Sequence, residues 1–321
     1  MKISKILFFL SLMISIIMAF STTSLFSLWM CLEINMMSFI PLMNSKNLGS
    51  TNSMILYFIV QALASSLFIL LTLTIFLNIN FLYHKLSFMI LSTMLLKIAA
   101  APFHIWFPQI SEGMPYYPFF ILTTFQKMIP MFIISMLNNK LLLIPIVLSA
   151  MTGALGGFNQ YSTRKLLAFS SISHIAWMLS LIHLNSNYWM SYFLIYTIIM
   201  VFIIQFLKSY NINNFNQINF STSTTTPFFI ISLILSLGGL PPFLGFFMKW
   251  MTLKIIISNM IILAPPLIIS SLINLFFYTR LIYPIFLKKS NLNKWGKTFS
   301  STPTYMALFH LLTIFLAIPM V

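Results

Sequence analysis

Apolar runs long enough to cross a lipid bilayer occupy almost the whole chain. They lie at about 6–21, 25–43, 54–77, 87–110, 116–136, 141–158, 167–183, 189–207, 227–252, 259–284 and 303–320, each near the ~20 predominantly apolar residues that a membrane helix requires. Backbone polar groups in hydrocarbon must be satisfied within the segment, so such runs fold as α-helices. Only 6% of the 321 residues are charged and 60% are hydrophobic, whereas soluble domains carry about 25% charged residues. The chain is therefore predicted to be an all-α integral membrane protein of about 11 transmembrane helices with short loops. Residues 1–321 form one polytopic membrane domain in this scheme, with a bundle over about 25–252 and C-terminal helices over about 259–320. No soluble catalytic domain fits in the remaining length.

Seventeen basic residues against two acidic ones raise the question of nucleic acid. Such binding needs a solvated basic face, and here the lysines stand singly between hydrophobic spans, which argues for no nucleic acid partner. Phe and Met are abundant, Gly is scarce, and Arg164 and Arg280 are the only arginines. Residues with A/T-rich codons are favoured throughout, as in an organellar gene. One cysteine, Cys31, excludes an internal disulfide and any iron–sulfur cluster held by this chain alone. The start, Met1-Lys-Ile-Ser-Lys5 followed by an apolar run to Ala19, also fits a secretory signal peptide. The polar break at Ser21 to Ser24 leads straight into another hydrophobic run, which favours a first membrane span.

Loop charge sets the orientation, because matrix-side loops collect Lys and Arg. With eleven spans, the N-terminal side receives Lys2, Lys5, Lys46, Arg164, Lys165, Lys208, Lys288, Lys289, Lys294 and Lys297, and the other side receives Lys85, Lys140 and Lys254. That ten-to-three split places the N-terminus in the matrix. Trp29, Tyr188 and Trp189 fall near span ends, where interfacial aromatics sit.

Two spans are interrupted by proline, at Ala101-Pro102 and at Gly238-Gly-Leu-Pro241-Pro242. Proline removes a backbone hydrogen bond, and the exposed carbonyls must be met by neighbours. A matched pair of interrupted spans points to a transport site at mid-membrane depth. Lysine precedes the first break, at Lys97, and follows the second, at Lys249. The reversed order suits an inverted repeat, although each interruption taken alone also fits an ordinary proline kink.

Four ionisable residues lie inside apolar runs: Glu33, Lys97, Lys127 and Lys249. A charge at the bilayer centre costs at least ~2.5 kcal/mol, so it marks a pathway or a partner. At an effective dielectric of about 20, a unit pair about 4 Å apart is worth ~4 kcal/mol. That exceeds the ~2.3 kcal/mol needed to move one charge against about 100 mV. A carboxylate that exchanges lysine partners is thus an adequate proton pump, and the four residues are candidates for proton transfer. His104 and His174 also lie within spans and are candidate relays, because imidazole titrates near neutral pH; hydrogen-bonded packing is the competing role. Glu112 is expected in a solvated loop, Arg280 is expected to snorkel, and His84, His183 and His310 are peripheral. There is no nucleophile triad, no phosphate-cradling glycine motif, and no haem or metal pair among the histidines.

Six segments in order carry a family resemblance: Trp29-Met-Cys-Leu-Glu33-Ile-Asn35, Lys97-Ile-Ala-Ala-Ala-Pro-Phe-His-Ile-Trp106-Phe-Pro108, Phe125-Gln-Lys127, Gly156-Gly-Phe-Asn-Gln160, Arg164 through Ser-Ser-Ile-Ser-His174, and Leu237-Gly-Gly-Leu-Pro-Pro through Lys249-Trp250. They resemble the antiporter-like subunits of respiratory NADH:ubiquinone oxidoreductase. The resemblance implies an ion pair of Glu33 with Lys97, a central relay at Lys127, and a terminal lysine at Lys249 on the second broken helix. Cys31, Ala99 and Ala176 stand where that family usually has glycine. Eleven spans instead of the usual fourteen match the shortened form of animal mitochondria. The implied protein is a proton-translocating membrane-arm subunit of the mitochondrial inner membrane that performs no redox step itself. NADH, flavin, iron–sulfur clusters and ubiquinone would then belong to partner subunits, with no cofactor or metal on this chain. A cation/proton antiporter subunit and a non-transporting membrane scaffold are the alternatives.

Overall fold

The computed structural model describes residues 3–45, 47–77, 83–137, 140–214, 225–241 and 243–287. Among these residues the chain is helical, and an isolated antiparallel bridge pairs Ser162 with Asn214. The expected span at 303–320, together with Lys2, Lys46, Lys288, Lys289, Lys294, Lys297, Pro242 and His310, lies outside them, as do the side chains of His84, Lys85 and Lys140. The chain divides into two compact units, Met1–Ser149 and Ala150–Val321.

The first unit contains α1 (Ile3–Ser21), α2 (Leu25–Met43), α3 (Leu48–Phe76), α4 (Tyr83–Ile98), α5 (Trp106–Gly113), α6 (Tyr116–Thr123) and α7 (Phe125–Met136), and α8 (Leu143–Gly157) begins in it. Here α1 packs on α2, α3 packs on α2, α4 and α5, and α7 packs on α4 and α6. The second unit contains α9 (Thr163–His183), α10 (Tyr188–Ser209), α11 (Thr225–Gly238), α12 (Leu244–Asn259) and α13 (Ala264–Leu287). Its centre is α9, which is buried from Leu166 to Ile182 except at the half-buried Phe169 and is contacted by α10, α12 and α13. A helix covered on all sides presents no polar face. The hydroxyls of Ser170, Ser171, Ser173 and Ser180 accordingly donate to carbonyls three residues back on α9 itself.

Seven helical stretches among the described residues are long and apolar enough to cross a membrane. The runs at 87–110 and 227–252 instead fold as two helices each, α4 with α5 and α11 with α12. Both first halves end the same way. Ala99, with φ of 64°, and Gly239, with φ of 80°, adopt the left-handed conformation just past the helix. The next amide folds back five residues, from Ala100 N to Leu95 O at 3.0 Å and from Leu240 N to Leu235 O at 3.3 Å. This is the Schellman termination, which favours glycine because a β-carbon is crowded there. Asn185 and Asn211 close α9 and α10 with the same pair of bonds.

The run at 116–136, expected as one span, is divided at Thr124 into α6 and α7. The Thr124 hydroxyl and amide both bond the Phe120 carbonyl, at 2.7 and 3.1 Å. Side-chain bonding back to an earlier carbonyl is the local competition by which threonine perturbs a helix. Glu112 is exposed as expected but sits in the last turn of α5 and not in a loop. Trp189 opens α10 as a buried side chain, 3% exposed, packed inside its unit.

Candidate functional site

The three lysines expected inside spans are buried: Lys97 is 6% exposed, Lys127 2% and Lys249 6%. Glu33, in the middle of α2, is half-buried. A lysine so far from water needs compensation from charge, dipoles or water. Each of the three finds it differently.

Lys97 occupies the last turn of α4, where the C-terminal end of the helix dipole favours a cation. Glu33 acts on it electrostatically, and among the described residues the two do not close a direct ion pair. The carbonyls freed by the end of α4 are met by neutral donors. Trp106 Nε1 donates to Leu96 O at 3.2 Å, and Gln61 Nε2 of α3 reaches Lys97 O at 3.5 Å.

Lys127 lies in the first turn of α7, immediately after the Thr124 division, with its ammonium 4.7 Å from the centre of the Phe107 ring. A cation over an aromatic face is worth more when desolvated, ~2 kcal/mol. Its neighbour Gln126 joins three helices. Tyr57 Oη of α3 donates to Gln126 Oε1 at 2.9 Å, and Gln126 Nε2 donates to Asn35 Oδ1 of α2 at 2.7 Å. Tyr57 and Gln61 are one turn apart on α3, so one polar edge of that helix serves both the Lys127 neighbourhood and the Lys97 carbonyl.

Lys249 of α12 donates to Gly238 O at 2.7 Å and to Leu237 O at 3.3 Å, closing the end of α11 with a positive charge. A β-carbon at Gly239 would stand 2.7 Å from Lys249 Cδ and 3.0 Å from Nζ. Gly239 thus supplies both the left-handed turn and the room for the lysine. At Gly245 a β-carbon would overlap the Ser236 carbonyl, so α12 returns against the α11 terminus in backbone contact.

His104 lies in the non-helical connection between α4 and α5, not within a helix as expected; it is half-buried, and its Nδ1 has no partner among the described residues. His174 is buried in α9, with Nδ1 2.8 Å from Tyr192 Oη and its ring 5.1 Å from that of Tyr196. Arg280 is exposed, donating to Phe158 O at 3.1 Å past the end of α8, and lies over the Tyr161 ring at 5.6 Å. No group of three His, Cys, Asp or Glu side chains among the described residues could hold a metal.

The first unit thus joins Glu33, Lys97, Lys127, Gln126, Tyr57 and Gln61, and the second joins Lys249 to the α11 terminus. Tyr57 and Gln61 were not singled out from the sequence. Their signal is a glutamine and a tyrosine four residues apart in an otherwise apolar run.

Residues 22–274 match the NADH:quinone oxidoreductase/Mrp antiporter transmembrane family. The chain is similar to NADH-ubiquinone oxidoreductase chain 2 of Anopheles gambiae, with 43% identity over 307 residues that cover 92% of this chain and 89% of the relative. The mouse protein of that name is 36% identical over 287 residues, covering 83% and 81%. Among solved structures, a chain of respiratory complex I from Thermus thermophilus superposes with a TM-score of 0.83 at 19% identity, over 98% of this chain and 77% of that one. A chain of the Mrp complex from a Dietzia species gives 0.81 at 18% identity, over 88% and 61%. The two structural matches establish a shared fold, and the sequence matches go further: the chain belongs to the NADH:quinone oxidoreductase/Mrp antiporter transmembrane family.

Proposed function

We propose that the chain is a proton-translocating membrane-arm subunit of respiratory NADH:ubiquinone oxidoreductase. The observation that carries this is the set of three lysines, none more than 6% exposed, inside an apolar bundle: Lys97 in the last turn of α4, Lys127 in the first turn of α7, and Lys249 on α12 reaching the end of α11. A cation buried in lipid costs at least ~2.5 kcal/mol, so its presence at three positions points to a charge pathway. Relatives that bear the name NADH-ubiquinone oxidoreductase chain 2 support the assignment.

In the mechanism, Glu33, Lys97, Lys127 and Lys249 carry the protons, with His104 and His174 as relays. In the first unit Glu33 and Lys97 are electrostatically coupled, and protons pass between Lys97 and Lys127. In the second unit the carbonyls of Leu237 and Gly238 receive Lys249 as an ammonium. Redox chemistry, with its flavin, iron–sulfur clusters and ubiquinone, belongs to partner subunits, to which this chain is coupled through charge along the membrane arm. The chain spans the mitochondrial inner membrane as one polytopic domain of eleven spans, with its N-terminus in the matrix. The two interrupted spans belong to inverted repeats. Both runs being interrupted, each with a buried lysine beside the break, supports that symmetry.

The test is native separation of gently solubilised membranes, with staining for NADH oxidation and mass spectrometry for the chain. Co-migration with a very large NADH-oxidising particle, and loss of its proton pumping in Lys127→Gln, is the expected result. A small particle without that activity would overturn the proposal and favour cation/proton exchange. The fold shared with the Mrp chain keeps that second function measurable, as cation-driven proton movement in vesicles.

A further inference from the structure

Helix α5 opens with two aromatic side chains that serve different lysines. Trp106 donates from Nε1 to Leu96 O, one residue before Lys97 at the end of α4, at 3.2 Å. Phe107, 1% exposed, turns its ring to Lys127, whose ammonium stands 4.7 Å from the ring centre. The two rings meet edge to face, with centroids 5.6 Å apart and planes at 86°, and Trp106 is tilted against Tyr57 of α3 at 6.3 Å. The Phe107 amide bonds His104 O at 3.1 Å where the helix begins. Phe107 is therefore held by its backbone and by a neighbouring ring that is itself hydrogen-bonded.

A lysine ammonium rides on a flexible four-carbon stem, so its seat is set by what surrounds it. Lys127 is buried, and a cation that far from water gains from groups of negative potential within reach. The face of an aromatic ring is such a group; its attraction extends to about 6 Å from the centroid and is strongest where water is excluded. Leucine or methionine would cover the lysine stem as phenylalanine does, but neither offers a negative face to the ammonium. As one of 34 phenylalanines, Phe107 carries no signal in the sequence. Its distance from Lys127 supplies one.

We infer that Phe107 is a positioning residue for Lys127: its π face seats the ammonium at the start of α7, and Trp106 sets the angle of that face. This rests on the proton-translocating function proposed above and adds a requirement to it. Transfer through Lys127 needs the charged group at a defined place in each cycle, and the Phe107 ring provides that place. Because both aromatic side chains belong to α5, the helix that closes the end of α4 beside Lys97 also fixes the seat of Lys127.

The test uses the intact respiratory complex and reads protons pumped per NADH oxidised. It compares Phe107→Met, which keeps an apolar side chain without a π face, with Phe107→Tyr, which keeps the face. Phe107→Met is expected to lose pumping, falling toward the Lys127→Gln value, while Phe107→Tyr stays near wild type. Equal ratios in the two Phe107 variants, whether high or low, would overturn the inference, because packing alone does not distinguish them by their π face. Wild-type pumping in Phe107→Met alongside lost pumping in Lys127→Gln would overturn the seat alone. Unchanged pumping in both would overturn the underlying function as well. If Phe107→Met fails to assemble, a high-resolution map of the wild-type complex decides: an ammonium within about 6 Å of the Phe107 centroid supports the seat, and one turned away from the ring overturns it.

Discussion

The Lys249 ammonium lies 2.7 Å from the Gly238 carbonyl, so the α11 terminus is closed by a charge from the helix that follows it. The α4 terminus is closed by neutral donors, Trp106 and Gln61. The two interrupted runs therefore solve the same backbone problem with different chemistry. Removing the proton from Lys249 weakens the contact that closes one helix end, whereas the side chains that close the other, Trp106 and Gln61, carry no titrating proton.

Lys249→Met leaves the Leu237 and Gly238 carbonyls unmet. The expected cost is about 1–3 kcal/mol, seen as a lower Tm of the complex, together with loss of proton pumping. Retained pumping in vesicles would remove Lys249 from the pathway.

Gly239→Ala puts a β-carbon at a left-handed position, 2.7 Å from Lys249 Cδ. The lysine is expected to be displaced from its carbonyls, lowering protons pumped per NADH oxidised while the complex remains assembled. A ratio equal to wild type would show that the lysine has another place to go.

Ala99 carries a β-carbon at φ of 64°, where the family resemblance expects glycine. Ala99→Gly is expected to stabilise the α4 terminus by ~1 kcal/mol. A higher midpoint in thermal inactivation of the complex is the measurement; a lower one would mean that the α4 terminus gains more from the methyl than it loses in strain.

Gln126→Leu deletes both bonds that join α3, α7 and α2, leaving Tyr57 and Asn35 without them. Destabilisation of about 1–3 kcal/mol is expected. Combining it with Tyr57→Phe should cost less than the sum of the two single changes, because the partners are coupled. Additive costs would mean that the three side chains act separately.

Lys97, Lys127 and Lys249 could be located from the sequence because ionisable groups stand out in apolar runs, and their burial follows from the same patterning. Tyr57 and Gln61 could not be assigned, since a polar residue in a span gives no sign of its partner 36 or 69 residues away. Pro102 marked the first interruption, but the helix ends at Ile98, where a left-handed alanine and a five-residue return bond fix the stop. The division at Thr124 went unseen because threonines within a largely apolar run are ordinary helix constituents.

The sequence by itself determined that this chain is a bundle of membrane helices with charge in its interior, because the cost of polar groups in hydrocarbon is paid residue by residue and shows in composition. Tertiary structure decided what each charge meets: a remote carboxylate for Lys97, an aromatic face for Lys127, and two helix-end carbonyls for Lys249. Those partners come from helices distant in sequence, and hydrogen bonds and charge contacts act over a few ångströms, so only the packed fold brings them together.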